Sequence, residues 1–152
     1  MESPKFKELR RAYGFDEIAI APGTVTLNPS QVNTDFSIDG MTMPTPILAA
    51  GMDAIVSPAF AIKFYEMGGL AVMNLEGVQT RYDNPDEVLN EIADARKEDA
   101  TEILQKAYTA PIREDLVGDR VQEIKSKGAL CAVSITPAST KWLAPIAVEA
   151  GA

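Results

Sequence analysis

From residue 47 onward the apolar residues fall into short unbroken runs, separated by longer stretches in which they recur every three or four positions. The first run is Pro46-Ile47-Leu48-Ala49-Ala50, closed by Gly51. The second is Leu70 to Leu75, and the third is Ala129 to Ile135. None of them alternates with polar residues. Runs of this length and character predict strands of a parallel sheet, apolar on both sides and covered on both faces. The intervening stretches carry helix punctuation. Ser57-Pro58 places an N-cap hydroxyl before a proline at the first helical position, and Gly68-Gly69 supplies the stop. Asn84-Pro85, with Asp86 and Glu87 behind it, opens a helical region over 85–127 in two or three pieces, divided at Pro111. Its last piece carries Leu116, Val117, Val121 and Ile124 and ends near Gly128. A final helix is predicted over 136–150, with Trp142, Leu143, Ile146 and Ala147 on one face. Pro145 should kink it or delay its start, and Gly151 should end it.

Before residue 47 the pattern is different. Residues 1–14 read as a polar, helical lead-in. Phe15 to Pro22 reads as a short strand ended by Pro22-Gly23. Asp39-Gly40 between Asp35–Ile38 and Met41–Met43 predicts a tight hairpin. The chain thus divides into a lead-in and hairpin over 1–46 and three strand–helix units over 47–152. Strand–helix alternation fits two architectures, a doubly wound sheet and a (β/α)8 barrel. The glycine fingerprint of a dinucleotide-binding doubly wound fold is missing after the first run, where Gly51-Met52-Asp53-Ala54 stands instead. No phosphate-binding P-loop is present either. A full barrel takes ~250 residues. On that reading this chain holds the first three units and stops before the barrel can close.

Composition narrows the chemistry. The chain has 152 residues, 46% hydrophobic and 24% charged, within the globular range. Its net charge of -8 opposes nucleic-acid binding, which needs clustered cations against phosphate. No polybasic run or apolar run of ~20 residues points to a membrane. The N-terminus has no apolar core of a secretory signal, and the single cysteine, Cys131, permits no intrachain disulfide. These features suit the cytoplasm. With no histidine and one cysteine, Ser-His-Asp and Cys-His nucleophile systems and His- or Cys-ligated zinc are excluded within this chain. Cys131, in the middle of an apolar run, reads as an inert core thiol. The acids in 86–99 and 114–123 read as solvated helix faces.

Several short motifs occur in a recognisable order: Phe15-Asp16-Glu17-Ile18, Leu48-Ala49-Ala50-Gly51-Met52-Asp53, Gly68-Gly69-Leu70-Ala71-Val72 and Ala129-Leu130-Cys131-Ala132. Together they resemble the start of the IMP dehydrogenase/GMP reductase family, over roughly residues 13–152. Asn74-Leu75-Glu76-Gly77 followed by Thr80-Arg81-Tyr82 resembles the subgroup without the CBS regulatory pair. The resemblance implies a (β/α)8 barrel, with 85–127 filling the place that the CBS pair takes in other members. It also implies a purine nucleotide substrate (IMP or GMP), a nicotinamide cofactor (NAD or NADP) and a homotetrameric parent. Barrel active sites lie at the C-terminal strand ends. The first strand end of the family usually reads Ser-Pro-Met-Asp, and its Met touches the nucleotide. This makes Ala50, Gly51, Met52 and Asp53 the expected substrate-binding residues, with a hydroxyl and a proline lost at positions 50 and 51. Asn74, Leu75 and Glu76, at the second strand end, are the expected cofactor-binding residues. The family's catalytic cysteine belongs to a later loop, so no catalytic residue is expected here and the chain is expected to be inactive alone. Two other readings stay open: a shortened, non-catalytic paralogue acting as a binding module, and another phosphate-binding barrel enzyme such as a flavin-dependent oxidase.

Overall fold

The structure is a computed structural model that describes residues 10–152. Contacts divide the chain into two compact units, one reaching to Asn33 and the other spanning Thr34–Ala152. In the first unit the expected strand over 15–22 does not form. Phe15–Glu17 is a single 3-10 turn, held by the Glu17 carboxylate accepting the Gly14 amide at 2.9 Å. Ile18 and Ile20 are exposed. The run had the composition of a strand but has no partner strand to pair with among the described residues. A second 3-10 turn, Pro29–Gln31, is capped by Asn28. Residues 10–14 are not helical, and the rest of the expected lead-in helix lies outside the described residues.

The second unit opens with the hairpin. β1 (Phe36–Ile38) pairs antiparallel with β2 (Met41–Met43). The turn residues Asp39 and Gly40 have φ of 47° and 80°, the left-handed pair that such a two-residue turn needs. The sheet follows: β3 (Leu48–Ala49), β4 (Leu70–Asn74) and β5 (Ala132–Ser134), parallel throughout and in sequential order β3-β4-β5. The third apolar run is longer than its strand, because only 132–134 lie beside β4 at Val72–Asn74. Cys131 accordingly sits just before β5 rather than within it, and it is buried.

The helices are α1 (Pro58–Glu66), α2 (Pro85–Ala93), α3 (Ala100–Thr109), α4 (Glu114–Ser126) and α5 (Thr140–Ala150). The helical region over 85–127 is therefore three pieces, with Pro111 between the second and third. Ser57 caps α1, its Oγ accepting the Phe60 amide at 3.2 Å. α5 begins at Thr140, not near Thr136, because residues 136–139 are engaged at a strand end described below. Pro145 lies inside α5. Leu143 and Ala147 face the core, whereas Trp142 is 40% exposed and leaves the apolar face expected of it.

One core joins the sheet to α1, α4 and α5. Ala71, Met73 and Cys131 meet Ala61, Val117, Val121, Ile124, Leu143 and Ala147 there. Each fully buried large aliphatic side chain in this set contributes about 1.5–3 kcal/mol. α1 packs on α4 and α4 on α5, so these helices share one face of the sheet. The sequence suggested cover on both faces. Instead the other face, carrying Leu48, Val72, Ala132 and Ser134, is open to varying degrees among the described residues. The reason is the winding: sequential parallel strands joined by right-handed crossovers must put every crossover helix on one side.

Candidate functional site at the strand ends

The chain leaving β3, β4 and β5 converges at the C-terminal edge of the sheet. Its organiser is Asp53, in the loop between β3 and α1. Asp53 Oδ1 accepts from Asn74 Nδ2 at 3.1 Å. Asp53 Oδ2 accepts from the Val78 amide at 2.8 Å and from the Tyr108 hydroxyl at 2.5 Å. One carboxylate therefore ties together β4, the 3-10 turn Val78–Thr80 and the end of α3. Gly77 makes this possible. A Cβ built there would lie 1.8 Å from Asp53 Oδ1, so any side chain at 77 would evict the carboxylate.

Glu76 is a second organiser. Its Oε2 accepts from the Thr136 amide at 2.6 Å, and its Oε1 accepts from Thr136 Oγ1 at 3.0 Å and Ser139 Oγ at 2.5 Å. The carboxylate thus fixes the turn that leads into α5, where a negative charge also suits the helix N-terminus. The Ser139 hydroxyl, followed by the Thr136 donors and the Arg81 charge, holds Glu76 below the usual carboxylate range. Arg81 binds the Glu76 carbonyl through Nε and Nη2 at 3.1 and 2.9 Å and also donates to the Ala110 carbonyl. Its guanidinium stands 5.8 Å from the Tyr108 ring centre. Burial, followed by the hydrogen bond and charge of Asp53, pushes the Tyr108 hydroxyl up to about 12.

The expected site residues divide into roles. Met52 is 54% exposed and points to no core, so its side chain is free to meet a ligand. Ala50 is exposed, and Gly51 is half-buried against Ser134. Asn74 spends both ends of its amide inside the protein, on Asp53 and on the Glu76 amide at 3.0 Å. Leu75 is fully buried in the core, so its side chain lies away from the open surface. Its amide donates to the Ser134 carbonyl and its carbonyl accepts from Thr80 Oγ1 at 2.7 Å. Tyr108, Ser139 and Ser134 went unnoticed in the sequence. Nothing local marks them, since Tyr108 reads as one more residue of an amphipathic helix.

The Cys131 thiol lies at the other end of β5, just before its first residue, and burial pushes it up to about 11. Among the described residues no three His, Cys, Asp or Glu side chains are grouped to hold a metal. None of their helices is long and apolar enough to cross a membrane. Among the clefts away from the strand ends are two larger ones. One, of about 250 Å³, is bounded by Ser57, Gln79, Asp83 and Arg120. The other, of about 300 Å³, is bounded by Met41, Leu70, Lys125 and Leu130 at the opposite end of the sheet.

Residues 12–136 match the IMP dehydrogenase / GMP reductase domain. An uncharacterized oxidoreductase of Mycobacterium tuberculosis strain H37Rv is 35% identical over 147 residues, covering 93% of this chain and 39% of the relative. One from Mycobacterium leprae is 37% identical over the same shares. The inosine-5'-monophosphate dehydrogenase of Methanocaldococcus jannaschii is 24% identical over 122 residues, 80% of this chain and 23% of that enzyme. Among solved structures, an IMP dehydrogenase/GMP reductase-like protein from Corynebacterium glutamicum superposes with a TM-score of 0.85 at 32% identity, covering 96% of this chain and 40% of that one. The chain therefore spans about two fifths of the length of the Mycobacterium and Corynebacterium relatives.

Proposed function

This chain belongs to the IMP dehydrogenase/GMP reductase family, and we propose that its strand-end loops form part of a site where a purine nucleotide, IMP or GMP, meets a nicotinamide cofactor, NAD or NADP, in an oxidoreductase. The observation that carries the reading is the convergence of three strand ends on the Asp53 and Glu76 carboxylates beside an exposed Met52. The proposed architecture is a (β/α)8 barrel, of which residues 47–152 are the first three units and the segment to residue 46 the lead-in and hairpin. Sequential strand order with α1 and α4 packed on one face supports a barrel over a doubly wound sheet, whose strand order reverses. The short helices α2 and α3 occupy the connection where other members carry a regulatory pair.

In this reading Ala50, Gly51 and Met52 lie against the nucleotide, and Asp53 holds their loop. Asn74 and Glu76 edge the cofactor space, with Leu75 fixing the strand end through its backbone. A bound nicotinamide supplies hydride chemistry. The residues of this chain orient and wall the site. The nucleophile of a covalent step falls outside this set, because the one cysteine is buried, raised and distant. We further propose a cytoplasmic, homotetrameric protein that binds neither nucleic acid nor membrane.

The test is Met52→Ala in the protein carrying this chain at its natural length. Met52 is half-open to solvent, so its loss should cost well under the ~2–5 kcal/mol of a buried methionine. The nucleotide dissociation constant should rise roughly five- to thirtyfold, from the apolar area shielded. A large fall in melting temperature with unchanged affinity for IMP and GMP removes Met52 and its loop from the site.

A further inference from the structure

At position 51 the resemblance implied a proline, and at position 50 a serine; this chain has Gly51 and Ala50. The structure gives a reason for the first exchange. A Cβ at Gly51 would stand 2.7 Å from Ser134 Oγ and 3.2 Å from the Val72 carbonyl. No side chain fits at 51, a proline ring included, while Ser134 keeps its place. The glycine therefore makes room for a hydroxyl that reaches in from a different strand.

That hydroxyl is well placed. Ser134 is the last residue of β5 and lies in register with Asn74, the last residue of β4. Residues alternate across a strand. Met73 and Val133 belong to the helix-covered core, so Asn74 and Ser134 stand on the open face. The Ser134 side chain is partly exposed and makes no hydrogen bond among the described residues; its bonds are made by the backbone, whose carbonyl accepts from the Leu75 amide at 3.1 Å. A neutral hydroxyl with one donor and two acceptor positions is thus left free at the strand ends, against the loop that carries Met52.

We propose that Ser134 is a nucleotide-binding residue, its hydroxyl contacting the oxygen-rich sugar–phosphate part of the purine nucleotide and standing in for the hydroxyl absent at position 50. The proposal rests on the functional reading above and extends it to a third strand. The pairing of an emptied position 51 with an unused hydroxyl beside it makes the two strand ends one unit: a side chain restored at 51 would displace the contact at 134.

The experiment measures IMP and GMP dissociation constants, with inosine and guanosine in parallel, on the protein carrying this chain at its natural length. Ser134→Ala removes a side chain with no hydrogen bond inside the protein, so its melting temperature should stay close to that of the wild type. Its affinity for the monophosphates should fall roughly two- to tenfold, the range of one neutral hydrogen bond. An equal fall for the nucleosides places the contact on the sugar, and a fall confined to the monophosphates places it on the phosphate. Adding Ala50→Ser to Ser134→Ala should recover most of the loss. Gly51→Ala should weaken binding as much as Ser134→Ala does and add little on top of it. Wild-type binding with unchanged affinity in Ser134→Ala overturns the inference and leaves the functional reading standing. Absence of any purine nucleotide binding by the wild type overturns both.

Discussion

Substituting Gly77 by alanine adds one methyl group at a place where the backbone is unstrained. Its φ of -92° and ψ of -167° suit any residue, so the whole cost is steric. The new Cβ would fall 1.8 Å from Asp53 Oδ1 and 2.3 Å from both Cγ and Oδ2. The carboxylate must swing away, and with it go the bonds from Asn74, the Val78 amide and Tyr108. Hydrogen bonds to a charged group contribute about 1.5–3 kcal/mol each, and a partly exposed carboxylate belongs at the low end. If the displaced Asp53 keeps one of its three donors, the loss is about 3 kcal/mol. Asp53→Ala alone removes all three bonds and should cost about 4.5 kcal/mol. In the double variant the methyl group enters vacated space and should add less than about 1 kcal/mol, whereas independent sites would add within about 0.5 kcal/mol. The expected coupling is thus about 2 kcal/mol. Urea unfolding of the four proteins, followed by far-ultraviolet circular dichroism at a common m-value, measures it. An equal cost of Gly77→Ala in both backgrounds refutes the contact between residue 77 and the Asp53 carboxylate. A cost near zero in the wild-type background refutes the three-donor arrangement itself.

Three further outcomes follow from the same region. Glu76 titrates below its ordinary range in the fold, so its contribution is present above the unfolded carboxylate value and is lost as pH falls through the folded one. The melting-temperature gap between wild type and Glu76→Gln should therefore narrow as pH drops from 6 to 3, and a constant gap would contradict the Thr136–Ser139 contacts. The Tyr108 hydroxyl, raised to about 12, contributes stability that is complete below its unfolded value near 10 and lost between there and 12. A difference titration at 295 nm between wild type and Tyr108→Phe should show one tyrosinate forming near 12, and a transition near 10 would contradict both the burial of the hydroxyl and its bond to Asp53. In the 3-10 turn, Gln79 is 1% exposed with no partner for Nε2, while its neighbour Thr80 satisfies the Leu75 carbonyl. Gln79→Met should hold or raise the melting temperature, and Thr80→Val should lower stability by about 1–3 kcal/mol through the carbonyl left unsatisfied; the reverse ranking would sink this assignment.

The amino-acid sequence by itself determined those features that arise between residues close in the chain. Asp39-Gly40 set the hairpin because the left-handed turn is a property of two adjacent residues. Ser57-Pro58 started α1 because the cap reaches only three residues ahead. Unbroken apolar runs marked β3, β4 and β5, since burial on a parallel sheet selects composition rather than alternation. The order of short motifs pointed to the family. The missing histidines and the single cysteine bounded the chemistry.

Tertiary structure alone decided what depends on residues far apart. Phe15 to Pro22 had strand composition but needed a partner strand to become one. Trp142 matched the apolar period of α5, yet the core takes in Leu143, Ile146 and Ala147 and leaves Trp142 40% exposed. Leu75 and Asn74 are adjacent in sequence, and the pleat sends one into the core and the other to the open edge. Asp53 and Tyr108 are 55 residues apart, and Glu76 and Ser139 are 63 apart. Ser134 meets Gly51 only because β5 is laid beside β4 and β4 beside β3. Local patterns fix backbone conformation through forces of a few residues' reach, whereas a hydrogen bond across strand ends exists only after the sheet order has brought its two partners within about 3 Å.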